Sequence, residues 1–320
     1  MEQQLTEIPI FFSIDDGYAP WLSVAMQSMI ANASPKYRYK IFVLHQGLQA
    51  GTKDKLASLA GEHFAVEFIY LEKELAAITD RTENRLRCDY FTLTIYFRLF
   101  IPDMFPQYDK GIYLDSDIVV PGDIAKLYQV ELGDHLFGAC RDHSIMGVEE
   151  LVYYITEAIG VKKEEYVNSG VLLMNLKMMR QQALATRFLE LMHDYHFDCI
   201  APDQDYLNAM ASGRIVYLDA CWDAMPTEGE KPMVGPQLIH YNLFSKPWCY
   251  DGVAYAEYFW QYAKESPFYQ EIVAFKQHYS EEQKRSDDRC LRTLLAKGKT
   301  IPQAEITFKK VAARGERVRL

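Results

Sequence analysis

Two carboxylates separated by a single residue, Asp115 and Asp117 in Tyr113-Leu114-Asp115-Ser116-Asp117, are the first chemistry the chain offers. In extended chain they share a face, roughly 6–7 Å apart at the backbone, close enough to hold one divalent cation. Such hard oxygen ligands suit Mg²⁺ or Mn²⁺, and a diphosphate can supply the remaining ligands. The same spacing also suits a strand-end turn in which Asp117 caps the next segment. Ile239-His240-Tyr241, with Lys246-Pro247-Trp248 six residues on, offers an imidazole for a metal shell, an ammonium for a diphosphate and an aromatic wall. The alternative for His240 is a hydrogen-bonded core histidine. Asn168-Ser169-Gly170 interrupts the apolar run from Tyr166 to Asn175. Buried polar groups need partners, so the triplet either satisfies a bulge or faces a ligand. Pro202-Asp203-Gln204-Asp205 reads as a helix start, with Asp203 as its N-cap if the role is structural.

These residues need a scaffold, and the pattern of the chain describes one. Ile8–Ile14 is an apolar run ending in Asp15-Asp16-Gly17, and Leu22, Ala25, Met26, Met29 and Ile30 then recur at helical spacing. Lys40–His45 and Ala65–Leu71 read as strands around a helix at Lys53–Leu59. Gly111–Asp117, Leu136–Asp142 and Val167–Leu176 read as buried strands. Alternation of this kind implies βαβ units and a largely parallel sheet, whose ligands bind beyond the carboxyl ends of the strands. Those ends carry Asp15, Asp16, Asp115, Asp117 and Asp142.

The 320 residues, 49% hydrophobic and 24% charged, suffice for a large α/β domain with an appendage. A net charge of −10 argues against wholesale binding to nucleic acid. No apolar stretch is long enough to span a bilayer, and the first ten residues do not read as a secretory signal. The six cysteines are scattered without a C-x-x-C pair, which reads as reduced thiols in a cytoplasmic protein. No G-x-G-x-x-G follows the first strand, and Gly298-Lys299-Thr300 lacks the first glycine of a P-loop because position 293 is Thr. Neither H-E-x-x-H nor G-x-S-x-G occurs.

The order D-x-D, N-x-G-V-x-L-x-N, D-Q-D, H-Y-x₄-K-P-W resembles glycosyltransferase family 8. Ser13-Ile14-Asp15-Asp16-Gly17-Tyr18 and Thr94-Ile95-Tyr96-Phe97-Arg98-Leu99 extend the likeness, which covers roughly residues 8–265. The bacterial branch of that family includes lipopolysaccharide α-galactosyltransferases and α-glucosyltransferases. The resemblance implies an α/β chain of GT-A fold and retaining transfer of a galactose or glucose from a UDP-sugar to a glycan or glycolipid. Carried over by position, it implies that Asp15 hydrogen-bonds the uracil and Tyr18 stacks on it. Asp115, Asp117 and His240 would ligate Mn²⁺, with Mg²⁺ as the alternative, and Lys246 would contact the diphosphate. Arg98, Asp142, Asn168, Asp203 and Gln204 would surround the donor sugar, with Asp142, Asp203 and Gln204 as the catalytic group. Ser13, Ser116 and Ser169 fall among the donor-binding positions. The Gln204 amide oxygen would stabilise an oxocarbenium-like sugar. Because a neutral amide is a poor nucleophile, attack from the leaving-group face is the expected route. Gly17, Leu243 and Tyr90 stand where the best-described galactosyltransferase branch has Asn, Gly and His, which leaves the acceptor open.

Two other classes use the same residues. A glycosidase would use Asp115 and Asp117 as its carboxylate pair but has no need of Lys246. A non-catalytic sugar-nucleotide sensor would keep the pocket without turnover. Finally, residues 284–320 carry eleven Lys/Arg against four Asp/Glu, about +7, and leave about −17 for the rest. The division expected is a catalytic domain over 1–265 and a helical, basic extension over 266–320. Leu291, Leu294, Leu295, Ile301, Phe308 and Val311 within it suggest a segment lying on the anionic inner face of a membrane; the alternative is a helix docked on the acidic body. On the membrane reading, truncation after Gln283 should spare turnover.

Overall fold

The computed structural model describes residues 5–71, 97–227, 229 and 231–320. Tyr90, Cys88 and Thr94-Ile95-Tyr96 lie outside the described residues. The centre is a seven-stranded sheet in the order β3-β2-β1-β4-β7-β6-β8. Its strands are β1 (Thr6–Ser13), β2 (Tyr37–His45), β3 (Phe64–Tyr70), β4 (Gly111–Leu114), β6 (Phe137–Ala139), β7 (Val171–Met174) and β8 (Ile215–Tyr217). β5 (Ile118–Val119) and β9 (Ile239–His240) form a separate antiparallel pair.

Strands β1 to β4 are mutually parallel, as the alternation predicts. β7 runs against both of its neighbours, so the sheet is mostly rather than wholly parallel. The central strands β4 and β7 are continuously apolar because both faces are covered, whereas the edge strand β3 carries the exposed Glu67. Ile8, Ile10 and Phe12 of β1 enter one core with Ile41, Val43, Ile112 and Leu114, while Phe11 enters the other with Phe42, Tyr113 and Leu172. The first core is roofed by α1 (Ala19–Asn32), whose Leu22, Ala25, Met26 and Met29 are buried as their spacing predicts, while Ile30 is half-buried and Trp21 is buried beside them.

Around the sheet run α2 (Ala50–Ala57), α3 (Ile101–Met104), α4 (Ile124–Tyr128), α5 (Glu149–Tyr154), α6 (Leu176–Gln181), α7 (Leu184–Tyr195), α8 (Pro202–Met210) and α9 (Ala256–Ala263). The chain ends in α10 (Tyr269–His278), α11 (Glu281–Thr300) and α12 (Phe308–Ala313). A capping box starts α11: the Ser280 hydroxyl accepts from the Gln283 N–H, and the Gln283 side chain accepts from the Ser280 N–H.

The apolar residues of this basic tail are largely spent on the body. Leu294, Ile301, Phe308 and Val311 are buried in the second core, and Phe308 stacks on Phe197 with ring centroids 3.8 Å apart. Leu291 is exposed. Truncation after Gln283 would therefore strip a core, contrary to the expectation that it leaves turnover intact. Gly298 has a packing reason rather than a phosphate-binding one. A Cβ there would stand 2.8 Å from the Glu150 carbonyl oxygen, so the glycine lets α11 lie directly on α5. Among the described residues no helix is long and apolar enough to cross a membrane.

Candidate functional site

The site forms where strand ends of opposite direction meet. β4 ends at Leu114, opposite Val171, the first residue of the antiparallel β7. The Asp115 N–H then donates to the Gly170 carbonyl at 2.7 Å, which sets Asn168-Ser169-Gly170 against Asp115. The expected strand to Asp117 stops short: the chain bends at Ser116–Asp117 and resumes as β5. Register places Ile118 opposite His240, and the Tyr241 N–H donates to the Asp117 carbonyl at 2.9 Å. A bend followed by a two-stranded ladder thus joins the aspartates to a histidine more than a hundred residues away. The cap of the next helix is Asp123, whose carboxylate accepts from the Ala125 N–H at 3.0 Å, so capping does not account for Asp117.

His240 Nε2 lies 3.4 Å from Asp117 Oδ1 and 3.9 Å from Asp115 Oδ2. Ligands about 2.0–2.1 Å from one ion stand about 3–4 Å apart, so these atoms fit a single divalent cation. On its far side Nδ1 meets the fully buried Asp223 at 3.0 Å, the carboxylate–imidazole relay that orients metal-binding histidines. Gly170 closes the cradle from behind: a Cβ there would be 2.4 Å from His240 Cε1 and 2.7 Å from Asp115 Oδ2. Before a cation enters, electrostatics favour an imidazolium at His240, whose Nε2 proton an incoming cation would displace, and a carboxylate at Asp117. Burial alone would pull the His240 pKa down, but its bonds to Asp117 and Asp223 push it up to about 10. Burial likewise opposes ionisation of Asp117, yet the Lys246 ammonium at 2.5 Å and His240 hold it well below the usual carboxylate range. A carboxylate kept ionised in this way does not serve as the proton donor of a glycosidase pair.

Next to the cradle runs a connected polar network. Buried Arg98 donates from Nη2 to Asp115 at 2.9 Å and from Nη1 to the Ser169 carbonyl at 2.6 Å; its Nε pairs with Asp203 at 3.1 Å. Tyr113 lies beneath the guanidinium and donates its hydroxyl to Asp115 at 3.0 Å. Ser169 Oγ donates to Asp203 at 3.0 Å. Asp142 accepts from Asn168 at 3.2 Å and from Gln204 Nε2 at 2.9 Å.

Asp203 is therefore not the N-cap of α8. Ala201 takes that position with Pro202 after it, leaving the Asp203 carboxylate for Arg98 and Ser169. The Gln204 amide oxygen, expected to face a donor sugar, accepts the Ser169 N–H at 2.9 Å and keeps one lone pair. Asn168 does both jobs suggested for the polar triplet. Its Oδ1 accepts the Gly170 N–H at 2.8 Å, a local turn, while the residue lines the pocket.

All of this borders one pocket of about 410 Å³. Its other side is the turn after β1. Ser13 lines it with a buried hydroxyl that has no hydrogen-bond partner among the described residues, and Asp15 turns back to accept the Tyr18 N–H at 3.1 Å. Ser116 and Lys246 also line it, and Lys246 is held by Asp117 and, at 2.8 Å, by the Tyr241 carbonyl. Of the expected site residues only Asp142 and His240 stand behind the lining. The sequence reading missed Asp223, Tyr113 and Trp21. Asp223 had one detectable signal, an acid inside the mostly apolar run Ala220-Cys221-Trp222-Asp223-Ala224.

The chain is similar to known proteins in sequence and fold. The family model described as glycosyl transferase family 8 matches residues 9–252. A Haemophilus influenzae protein carrying a glycosyltransferase designation is 26% identical over 219 residues, 68% of this chain and 64% of its own length. The lipopolysaccharide 1,2-glucosyltransferase of Escherichia coli K12 is 24% identical over 254 residues, 75% of this chain and 72% of its own. A crystal structure of the galactosyltransferase LgtC, in complex with donor and acceptor sugar analogs, superposes with a TM-score of 0.68 at 25% identity. It covers 87% of this chain and 100% of that one. The architecture is GT-A, and with three quarters of its length under the family model the chain belongs to glycosyl transferase family 8.

Proposed function

We propose that the protein is a retaining hexosyltransferase that moves galactose or glucose from a UDP-sugar to a glycan or glycolipid acceptor, with Mn²⁺ or Mg²⁺ as its cation. The observation that carries this reading is the convergence of Asp115, Asp117 and His240 beside Lys246, at a pocket also lined by the adjoining Arg98, Asp203 and Gln204. A cation in that cradle would neutralise the diphosphate and help it leave. The protein's own groups account for the rest. Asp15, Tyr18 and Ser13 take the nucleoside. Lys246 and the backbone around Ser116 face the diphosphate, where negative charge grows as the sugar–oxygen bond breaks. Arg98, Asn168 and Ser169 hold the donor sugar with Asp142, Asp203 and Gln204.

Attack from the leaving-group face suits this arrangement. Asp203 is tied to Arg98 and Ser169, which blunts it as a nucleophile, and the Gln204 amide is neutral. The acceptor hydroxyl then gives its proton to a β-phosphate oxygen. The Escherichia coli relative named for lipopolysaccharide glucosyl transfer supports an acceptor of that kind. In this reading residues 1–265 carry the cation cradle and the sugar-binding groups, and 266–320 form a helical, basic extension packed on them. Its exposed Arg285, Arg289 and Leu291 would touch the inner face of an anionic membrane, with the protein peripheral to it in the cytoplasm.

The test is a panel of UDP-sugars with Mn²⁺, scored for UDP release with and without glycan acceptors. Release from UDP-galactose or UDP-glucose that stops on chelation and returns with Mn²⁺ supports the proposal. UDP release that persists undiminished in excess chelator, or none from any UDP-hexose, sinks it.

A further inference from the structure

Three residues on the pocket wall come from beyond residue 252, outside the stretch matched by the family model: Phe275, Tyr279 and Asp287. They join a continuous aromatic run. Trp248 stacks on Trp21 at 4.4 Å, Phe275 meets Trp21 edge-on at 5.3 Å, and Tyr279 lies 5.7 Å from both Phe275 and Tyr250. The run is pinned to the loop that carries Lys246. One oxygen of buried Asp287 accepts the hydroxyls of Tyr250 and Tyr279 at 2.7 and 2.6 Å. Lys276 donates to the carbonyls of Pro247 and Tyr250 at 2.9 and 3.0 Å. Phe275 nevertheless keeps 40% of its surface exposed. A phenyl ring held open to water by its scaffold, on the wall of a pocket, is a stacking surface.

We infer that Phe275 and Tyr279 form a wall for the nucleoside half of the donor, with Asp287 as the residue that positions Tyr279. This rests on the donor reading above. Position selects the nucleoside over the sugar. Phe275 reaches Trp21, the third residue after Tyr18, on the side of the pocket where Asp15 and Tyr18 lie, whereas Arg98, Asp203 and Gln204 occupy the side beyond the cation cradle. A ribose or base with its apolar face toward Phe275 gains contact that neither the diphosphate nor the hexose supplies.

The experiment compares full-length wild type with Phe275→Ala and Asp287→Asn, titrating UDP and, separately, inorganic diphosphate in the presence of Mn²⁺. Phe275→Ala should weaken UDP about tenfold and raise the donor KM to match, with kcat changed less than about twofold. Its diphosphate affinity should stay at the wild-type value, and Phe275→Tyr should restore UDP binding. Asp287→Asn should show the same pattern at smaller amplitude. Unchanged UDP affinity in Phe275→Ala overturns the inference, as does a parallel loss of UDP and diphosphate, which would mark a general collapse of the pocket. Wild type that binds diphosphate but not UDP would overturn the donor reading itself, and this wall with it.

Discussion

Replacing Gly170 with alanine adds one carbon and aims it at the cation cradle. The new Cβ would sit 2.4 Å from His240 Cε1, 2.7 Å from Asp115 Oδ2 and 3.0 Å from Asn168 Oδ1, where ordinary contact begins at 3.4 Å. Relief requires the imidazole to retreat by about 1 Å. Neither neighbour has slack. The His240 ring is 1% exposed and fastened to Asp223, and Asp115 is fixed by Arg98 and Tyr113. A metal shell tolerates about ±0.2 Å in its ligand distances, so a shift of that size breaks it. The expected loss is at least the ~10–100-fold in cation affinity typical of disturbed supporting residues, with turnover falling in step. Overpacking adds about 1–3 kcal/mol of lost stability, a melting point lower by several degrees. Calorimetric titration of Mn²⁺ into the UDP-loaded protein reads the first number, and a thermal melt reads the second. A variant that folds, binds Mn²⁺ within about twofold of wild type and turns over normally would refute the assignment of these three side chains to one ion.

Asp223→Asn should weaken Mn²⁺ by about 10–100-fold while leaving the melting point close to wild type, because His240 loses the group that orients it; unchanged titration would dismiss the relay. Arg98→Met should destabilise the fold by about 3–5 kcal/mol in chemical denaturation, since it strands the buried Asp203 carboxylate. Arg98→Lys should recover part of that stability but little turnover, because an ammonium cannot reproduce the three-way fork; full turnover with Lys would deny the fork a role. Burial pushes the Cys249 thiol on the pocket wall up to about 11. Its iodoacetamide alkylation should therefore be slow at pH 8, climb as pH approaches 11 and be suppressed by UDP with Mn²⁺. Fast labelling at pH 7 would contradict that burial.

The scaffold was legible because its strands are unbroken apolar runs closed by acids, and the helical spacing after the first strand is regular. Four things could not be read. The bend at Ser116 lies inside a segment whose residues suit a strand, and only the pairing of β5 with β9 imposes it. The reversed direction of β7 leaves no local trace, since a doubly covered strand has the same composition in either sense. Asp203 has every mark of a helix cap, yet a buried guanidinium outbids the backbone for it. The leucines of the tail repeat as they would on a membrane-lying helix, because burial against protein and burial against lipid demand the same spacing. The motifs fared better. Asp115, Asp117, His240 and Lys246 lie within one small volume, and Asp142, Asn168, Asp203 and Gln204 within the adjoining network.

The ladder between β5 and β9 joins segments separated by some 120 positions, and Asp287 lies farther along still. Native pairings this distant slow folding, because loop closure precedes any compensating contact. During synthesis the sheet from β1 to β4 emerges early, while the histidine of the cradle leaves the ribosome long afterwards. Until then Asp115 has Arg98 as its counter-ion, while Asp117 lacks both His240 and Lys246. Ligand capture is consequently a property of the finished chain alone. Holding UDP and Mn²⁺ above their dissociation constants during refolding should raise the final yield of native protein without hastening its early collapse.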